Sequence, residues 1–278
     1  MKLLVLGAGG QLGGTFVAHG DLQVVGLTRA DVDVTDTDAV RRAAAAHRPD
    51  AIINCTANND VDGAEDDAGP ALEVNAFAVG AMARAAADVG ATLVHFSTDF
   101  VFDGHADAPY TETDRARPVG VYGMSKLLGE WLAMDAPRAL VLRVESLFGG
   151  PQARSSVDRI VQALRAGRET PVFTDRIVSP SYVDDVVAAT LELLATDAAS
   201  GVYHCVNTGH ASWADVGRTA AADLGAPVQL LRLTSVRDVT MRARRPVYCA
   251  LSNAKLEAAM GRPMPTWEDA LRRYLSRG

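Results

Sequence analysis

Tyr122 and Lys126 stand four residues apart in Tyr122-Gly123-Met124-Ser125-Lys126. On a helix, positions i and i+4 share one face. An ammonium beside a phenol stabilises the phenolate and draws its pKa down from about 10 toward working pH. Such a phenol can give a proton to a ketone oxygen during reduction, or take one from an alcohol during oxidation. The chain has 6 Tyr and only 3 Lys: Lys2, Lys126 and Lys255. With those counts, a Tyr with a Lys four residues on arises by chance at roughly 0.06, so the spacing informs without deciding. An exposed helical pair with no chemistry is the competing reading.

A second chemical feature opens the chain. Gly7-Ala8-Gly9-Gly10-Gln11-Leu12-Gly13 follows the apolar run Lys2–Leu6 and precedes a helical stretch. A strand, a glycine turn and a helix start together present free N–H groups to a pyrophosphate. Gly10 would let the backbone approach the phosphates, and Gly13 would let helix and strand pack closely. The dinucleotide fingerprint is not met in full, because Leu12 takes the place of its last glycine. Gly7, Gly10, Gln11, Leu12 and Gly13 are the expected cofactor contacts. At the end of the second strand Leu27 is followed by Thr28-Arg29. No acid stands there for a ribose 2′-hydroxyl, and Arg29 suits a 2′-phosphate. NADPH is therefore the expected cofactor, with NADH as the alternative. Asp33 and Val34 are expected to flank the adenine.

The elements that must position these groups alternate. Strands are expected at Lys2–Leu6, Gln23–Leu27, Ala51–Cys55, Ala91–Ser97 and Ala139–Val144. Helices are expected at Gln11–His19, Asp36–His47 (capped by Thr35 or Asp36), Glu73–Val89 and Val121–Met134. That alternation implies a Rossmann-like, doubly wound parallel α/β sheet with helices on both faces. Beyond residue 150 the alternation loosens. Helices are expected at Asp158–Ala166, Tyr182–Thr196, Trp213–Leu224 and Thr266–Ser276, a strand at Gly201–Val206, and extended pieces at Pro171–Thr174 and Gln229–Leu233. Residues 1–150 read as the nucleotide-binding domain, with 175–205 returning to it. Residues 151–174 and 206–278 read as a smaller C-terminal substrate-binding lobe.

The bulk numbers narrow the partners. The 278 residues are 48% hydrophobic and 22% charged, as in ordinary globular chains. A net charge of -7 argues against nucleic acid and anionic membrane. Cys55, Cys205 and Cys249 have no metal or disulfide spacing, which suits a reducing cytoplasm. The opening apolar run is too short for a signal peptide or a membrane span. No carboxylate cluster suggests a magnesium site, and no metal is expected.

Further segments, read with the Gly7–Gly13 turn, resemble one family. They are Pro49-Asp50-Ala51-Ile52-Ile53-Asn54, Val61-Asp62-Gly63-Ala64-Glu65, Val74-Asn75, Ser97-Thr98-Asp99-Phe100-Val101-Phe102-Asp103-Gly104, Pro109-Tyr110-Thr111-Glu112 and Tyr122–Leu127. The second half adds Gly201-Val202-Tyr203-His204, Trp213, Arg245-Pro246, Leu251 and Lys255 more loosely. The chain resembles the extended short-chain dehydrogenases/reductases, and within them the dTDP-4-dehydrorhamnose reductases. The resemblance implies an NADPH-dependent reductase of a nucleotide-activated keto-deoxysugar that passes a hydride to the keto carbon. In it Thr98 is the catalytic hydroxyl, Tyr122 the proton donor and Lys126 the ammonium that holds the nicotinamide ribose. It also sets Cys55, Ala57, Asn75 and Ser97 at the cofactor, and Asn58, Asn59, Phe100, Ser146 and Arg245 at the sugar nucleotide. A homodimer is the usual assembly of the superfamily. Phe100 stands where the family carries Tyr, Ser146 where it carries Trp, and Asn58-Asn59 in an altered segment, so the reaction class is retained and the sugar is open.

Several residues keep two readings. Thr98 could cap a turn, and Asp99 could orient Thr98 or cap the loop. Asn75 could line the cofactor or make an interior contact. Arg242, Arg244 and Arg245 could meet phosphate or water. Trp213 reads as core, and the six histidines lack ligand spacing. A 4,6-dehydratase is disfavoured because Phe100 cannot act as a base. A 4-epimerase and a non-catalytic regulatory subunit of the same fold remain as alternatives.

Overall fold

A computed structural model of the chain describes residues 1–19, 22–152, 154–196 and 198–277. The five apolar runs of the first half form strands β1 (Lys2–Leu6), β2 (Gln23–Leu27), β3 (Ala51–Asn54), β4 (Thr92–Thr98) and β5 (Ala139–Val144). Every residue of β3, β4 and β5 is buried, as strands covered on both faces must be. A sixth strand, Gly201–His204, joins beyond β5, giving the order Gly201–His204, β5, β4, β3, β1, β2. All five pairings are parallel. The order reverses at β1, whose neighbours are β2 and β3. A crevice therefore opens at the carboxyl ends of β1 and β3, where such sheets bind ligands.

Alternation within β1 sends its side chains to two cores. Leu3 and Val5 join Phe16 and Val94 on one face. Leu4 and Leu6 join Val40, Ile52, Met82 and Val141 on the other. The helices of the first half are α1 (Gln11–Val17), α2 (Thr37–His47), α3 (Ala68–Leu72), α4 (Ala78–Val89) and α5 (Val121–Ala133). Asp36, one of the two expected caps, accepts hydrogen bonds from the Asp38 and Ala39 backbone N–H groups. The expected helix Glu73–Val89 begins earlier, where Asp67 accepts from Gly69 N–H. It passes through a π-helical turn at Glu73–Phe77 before α4. That turn contains Asn75.

The second half supplies α6 (Ser156–Arg165), α7 (Val183–Ala195), α8 (Trp213–Leu224), α9 (Ala254–Met260) and α10 (Trp267–Leu275). Helix α9 is an addition to the expected elements, and Val228–Leu230 is a 3-10 turn rather than extended. Thr170–Phe173 pairs with Leu231–Thr234, and Ile177–Val178 pairs with Ala211–Ser212. Trp213, Trp267 and Leu271 belong to the same hydrophobic cluster as Leu3 and Phe16, so this half shares a core with the sheet. Among the described residues no helix is long and apolar enough to cross a membrane.

Candidate active site

Three devices place Tyr122. The Glu65 carboxylate accepts from Val121 N–H at 2.8 Å and so fixes the first turn of α5; a negative charge there also suits the helix N-terminus. Next to Tyr122, a Cβ on Gly123 would lie 2.3 Å from the Phe100 carbonyl oxygen. Only glycine lets α5 lie this close to the turn after β4. Below, Arg143 on β5 donates to both Glu130 oxygens, at 2.8 and 2.7 Å, and Ser97 Oγ donates to the same carboxylate at 2.6 Å. This buried pair ties α5 to β4 and β5.

Thr98 ends β4 and faces this helix start. Its Oγ accepts from Phe100 N–H at 3.2 Å and donates to Asp99 Oδ1 at 2.9 Å. Thr98 thus caps the 3-10 turn Asp99–Val101, and Asp99 engages Thr98; the paired readings of both residues coexist. The Phe100 ring stands edge-on to Tyr122, with centroids 5.5 Å apart. The Tyr122 Oη donates to Asn59 Oδ1 at 3.3 Å. The Lys126 side chain is 2% exposed, and its Nζ donates to the Phe96 carbonyl at 2.6 Å.

The electrostatics correct one expectation. Lys126 does not draw the phenol down. Burial pushes the Tyr122 phenol above its usual range, any charge on Asp99 pushes the same way, and a hydrogen bond with Thr98 opposes them. Burial also brings Lys126 down to about 8, with Glu130 opposing. A phenol held in its neutral form carries the proton a reduction needs.

The remaining expected residues fall into three groups. Gly7–Gly13 forms the turn after β1, and a Cβ on Gly13 would meet the Gly7 carbonyl oxygen at 2.2 Å. Gln11 donates through Nε2 to the Gly149 carbonyl at 2.8 Å, and the Leu12 side chain lies in the core, so backbone is what these two can offer a phosphate. Gln152 donates to the Gly9 carbonyl. Arg29 is exposed just past β2. Asp33 binds the Thr35 N–H and hydroxyl, and Val34 is half-buried. Asp31, which sequence analysis passed over, folds back onto Thr28 N–H and Oγ.

The second group is interior. Asn75 donates to the Asn58 carbonyl and to Ser125 Oγ, both at 3.0 Å, and accepts from Asn58 N–H at 2.8 Å. Those bonds fix the segment after β3 that carries half-buried Cys55, Ala57 and Asn58. The Ser97 hydroxyl is spent on Glu130. The third group is the far wall. Arg245 pairs with Asp62 at 2.7 Å, in the loop that packs beside Tyr122. Ser146 sits at φ 45°, a strained value for a residue with a side chain, and donates to Glu145 Oε1 at 2.7 Å.

Glu145, Arg176 and Cys249 were not among the residues expected at the site. Asp99, Glu145 and Cys249 bring ligand atoms within 4.8 Å of one another. The Arg176 guanidinium lies 5.5 Å from the Phe100 ring centroid, and its charge acts on both Asp99 and Glu145. A cation there, with Glu145 already accepting from Ser146 Oγ and from Ser179 N–H, makes this a poor metal site. The one signal in sequence was Glu145, a charge directly after the buried strand β5.

The family model described as the RmlD substrate binding domain matches residues 1–278. The chain belongs to the RmlD reductase family. By that membership it is an oxidoreductase. A dTDP-4-dehydrorhamnose reductase of Mycobacterium tuberculosis is 37% identical over 279 residues, covering 97% of this chain and 91% of the relative. A Bacillus anthracis dTDP-4-dehydrorhamnose reductase, solved in complex with NADP, superposes with a TM-score of 0.94 at 29% identity, with 100% of each chain covered. A Thermus thermophilus UDP-glucose 4-epimerase shares the fold, with a TM-score of 0.82 at 21% identity, covering 100% of this chain and 99% of the epimerase.

Proposed function

We propose that the chain is an NADPH-dependent reductase of a dTDP-linked 4-keto-6-deoxysugar. The observation that carries this is the meeting of Thr98 and the neutral Tyr122 phenol at the carboxyl end of β4. The glycine turn fits a dinucleotide: Gly13 leaves a close-packed cradle at the sheet's switch point, and Arg29 stands exposed for a 2′-phosphate. NADPH supplies the hydride when bound. Tyr122 gives its proton to the oxygen that gains charge, and Thr98 donates a hydrogen bond to the same oxygen. Lys126 lies one helical turn below, poised to exchange the Phe96 carbonyl for the nicotinamide ribose. Asn58, Asn59, Phe100, Ser146 and Arg245 form the sugar-nucleotide side. Cys55, Cys205 and Cys249 are unpaired, which fits a reducing cytoplasm.

The test is a panel of dTDP-4-keto sugars mixed with enzyme and NADPH, with the nicotinamide absorbance followed. Oxidation with at least one sugar supports the reading. Clear NADPH binding with no oxidation across the panel overturns it in favour of a regulatory role.

A homodimer is part of the proposal. Met124 and Trp131 lie seven residues apart on α5 and are 51% and 63% exposed, and Phe77 on the neighbouring π turn is 52% exposed. Large apolar side chains grouped in this way mark an interaction surface. Light scattering is expected to give twice the chain mass, and Trp131→Glu half of that.

A further inference from the structure

One arrangement bears on a step the proposed reaction requires. Thr98 must donate to the substrate oxygen, yet its hydroxyl hydrogen is directed at Asp99 Oδ1, 2.9 Å away. A hydroxyl has one hydrogen. While Asp99 is an anion it takes that hydrogen, and Thr98 has none for the substrate. If Asp99 carries a proton it becomes the donor, Thr98 Oγ accepts, and the Thr98 hydrogen is free.

The surroundings of Asp99 favour the protonated form. It is 4% exposed, and Glu145, 3% exposed, is its close neighbour. One cation, Arg176, faces the two carboxyls, so only one of them has a counter-charge, and a second buried anion is costly. Donor counts then divide the roles. Glu145 accepts on both oxygens, from Ser146 Oγ and Ser179 N–H. Asp99 Oδ2 is buried with no hydrogen-bond partner at ordinary distance among the described residues; the nearby Cys249 thiol, a weak donor that lowers Asp99 a little, is directed at the Pro246 carbonyl. Hydrogen bonds to a carboxylate stabilise its charged form. The remaining titratable groups facing Asp99 are Tyr122 from α5 and Cys249 from the C-terminal segment, and burial keeps both in their neutral forms.

We propose that Glu145 is a positioning residue that keeps a proton on Asp99, so that Asp99 donates to Thr98 and Thr98 is free to donate to the keto oxygen of the substrate. The proton on Asp99 is held and not transferred; the proton that reaches product comes from Tyr122. The inference rests on the reductase reading above. Burial raises both carboxyls, Glu145 well above the usual range, so the pair holds a proton between them; the donor count, not the size of these shifts, assigns it to Asp99.

The test is kcat against pH for wild type, Asp99→Asn, Asp99→Ala and Glu145→Gln, with NADPH affinity and melting temperature measured on each. An asparagine amide donates at every pH and mimics the protonated acid. Asp99→Asn is therefore expected to keep kcat within about threefold of wild type, whereas Asp99→Ala loses roughly 10² as the oxyanion donor is no longer directed. In Glu145→Gln the neighbouring charge is gone and Asp99 ionises more readily, so the fall of kcat with rising pH moves to lower pH. Adding Glu145→Gln to Asp99→Asn is expected to change the profile no further. Loss in Asp99→Asn as deep as in Asp99→Ala would overturn the proposal, because it would mean that the carboxylate itself is needed. If Asp99→Asn does not fold, a Glu145→Gln profile that superposes on wild type overturns it instead. Wild type that turns over no keto sugar points to failure of the reductase reading, not of this inference alone.

Discussion

The two walls of the site differ in how the chain builds them. The near wall, Thr98 and Tyr122 with Lys126, comes from β4 and α5 and is fixed by bonds local to those elements: Phe100 N–H on Thr98, Gly123 against Phe100, and Glu130 under α5. The far wall, Glu145, Ser146, Arg176 and Cys249, gathers residues up to 104 positions apart on short connecting segments. On the proposed mechanism the near wall holds the groups that touch the reacting oxygen. The far wall sets the charge around them. Changes to the near wall should therefore remove fold or turnover, and changes to the far wall should move pH dependence.

The largest expected effect is on stability. Glu130→Ala leaves Arg143 buried without its carboxylate, which costs about 3–5 kcal/mol; denaturant midpoints measure it, and a cost below 1 kcal/mol would show that the pair does not anchor α5. Gly123→Ala should come next. Its Cβ must push α5 away from the Phe100 carbonyl, at about 1–3 kcal/mol of strain. Turnover should fall while NADPH affinity holds, and unchanged kcat would count against close placement of Tyr122 beside Thr98.

The smallest effect belongs to the carboxyl pair that links Asp99, beside Thr98, to Glu145 in the far wall. Asp99 and Glu145 have raised values in the folded chain. Unfolded carboxyls titrate near about 4, so above that pH the native state holds more protons and stability falls as pH rises toward the native values. Asp99→Asn removes one titrating group of this pair. Its melting temperature should decline less than wild type's as pH rises above about 4, and parallel curves would mean that Asp99 is ionised throughout.

The same contrast explains what was legible in the sequence. Apolar runs announced β1 to β5, and their alternation with helical stretches announced a parallel sheet, because strands buried on both faces leave that pattern. Thr98, Tyr122 and Lys126 were legible because each occupies a fixed place on one strand end or one helix face. The direction of the Tyr122 shift was not, since it depends on burial more than on the residue four positions away. Arg176 and Cys249 carry no local signal; only the folded chain brings them to Glu145. The π turn at Asn75 was read as plain helix, because its spacing differs from α by one residue in one turn.

The most direct test follows the reacting atoms. NADPH deuterated at nicotinamide C4 is incubated with a turned-over dTDP-4-keto sugar and either wild-type enzyme or Tyr122→Phe, and the product is examined by mass spectrometry and NMR. Wild type is expected to place deuterium on the former keto carbon. Tyr122→Phe is expected to bind NADPH with wild-type affinity and to form that product about 10² to 10⁴ times more slowly, the range for a lost general acid. Deuterated product formed by Tyr122→Phe at the wild-type rate would contradict the assignment of Tyr122 as the proton donor.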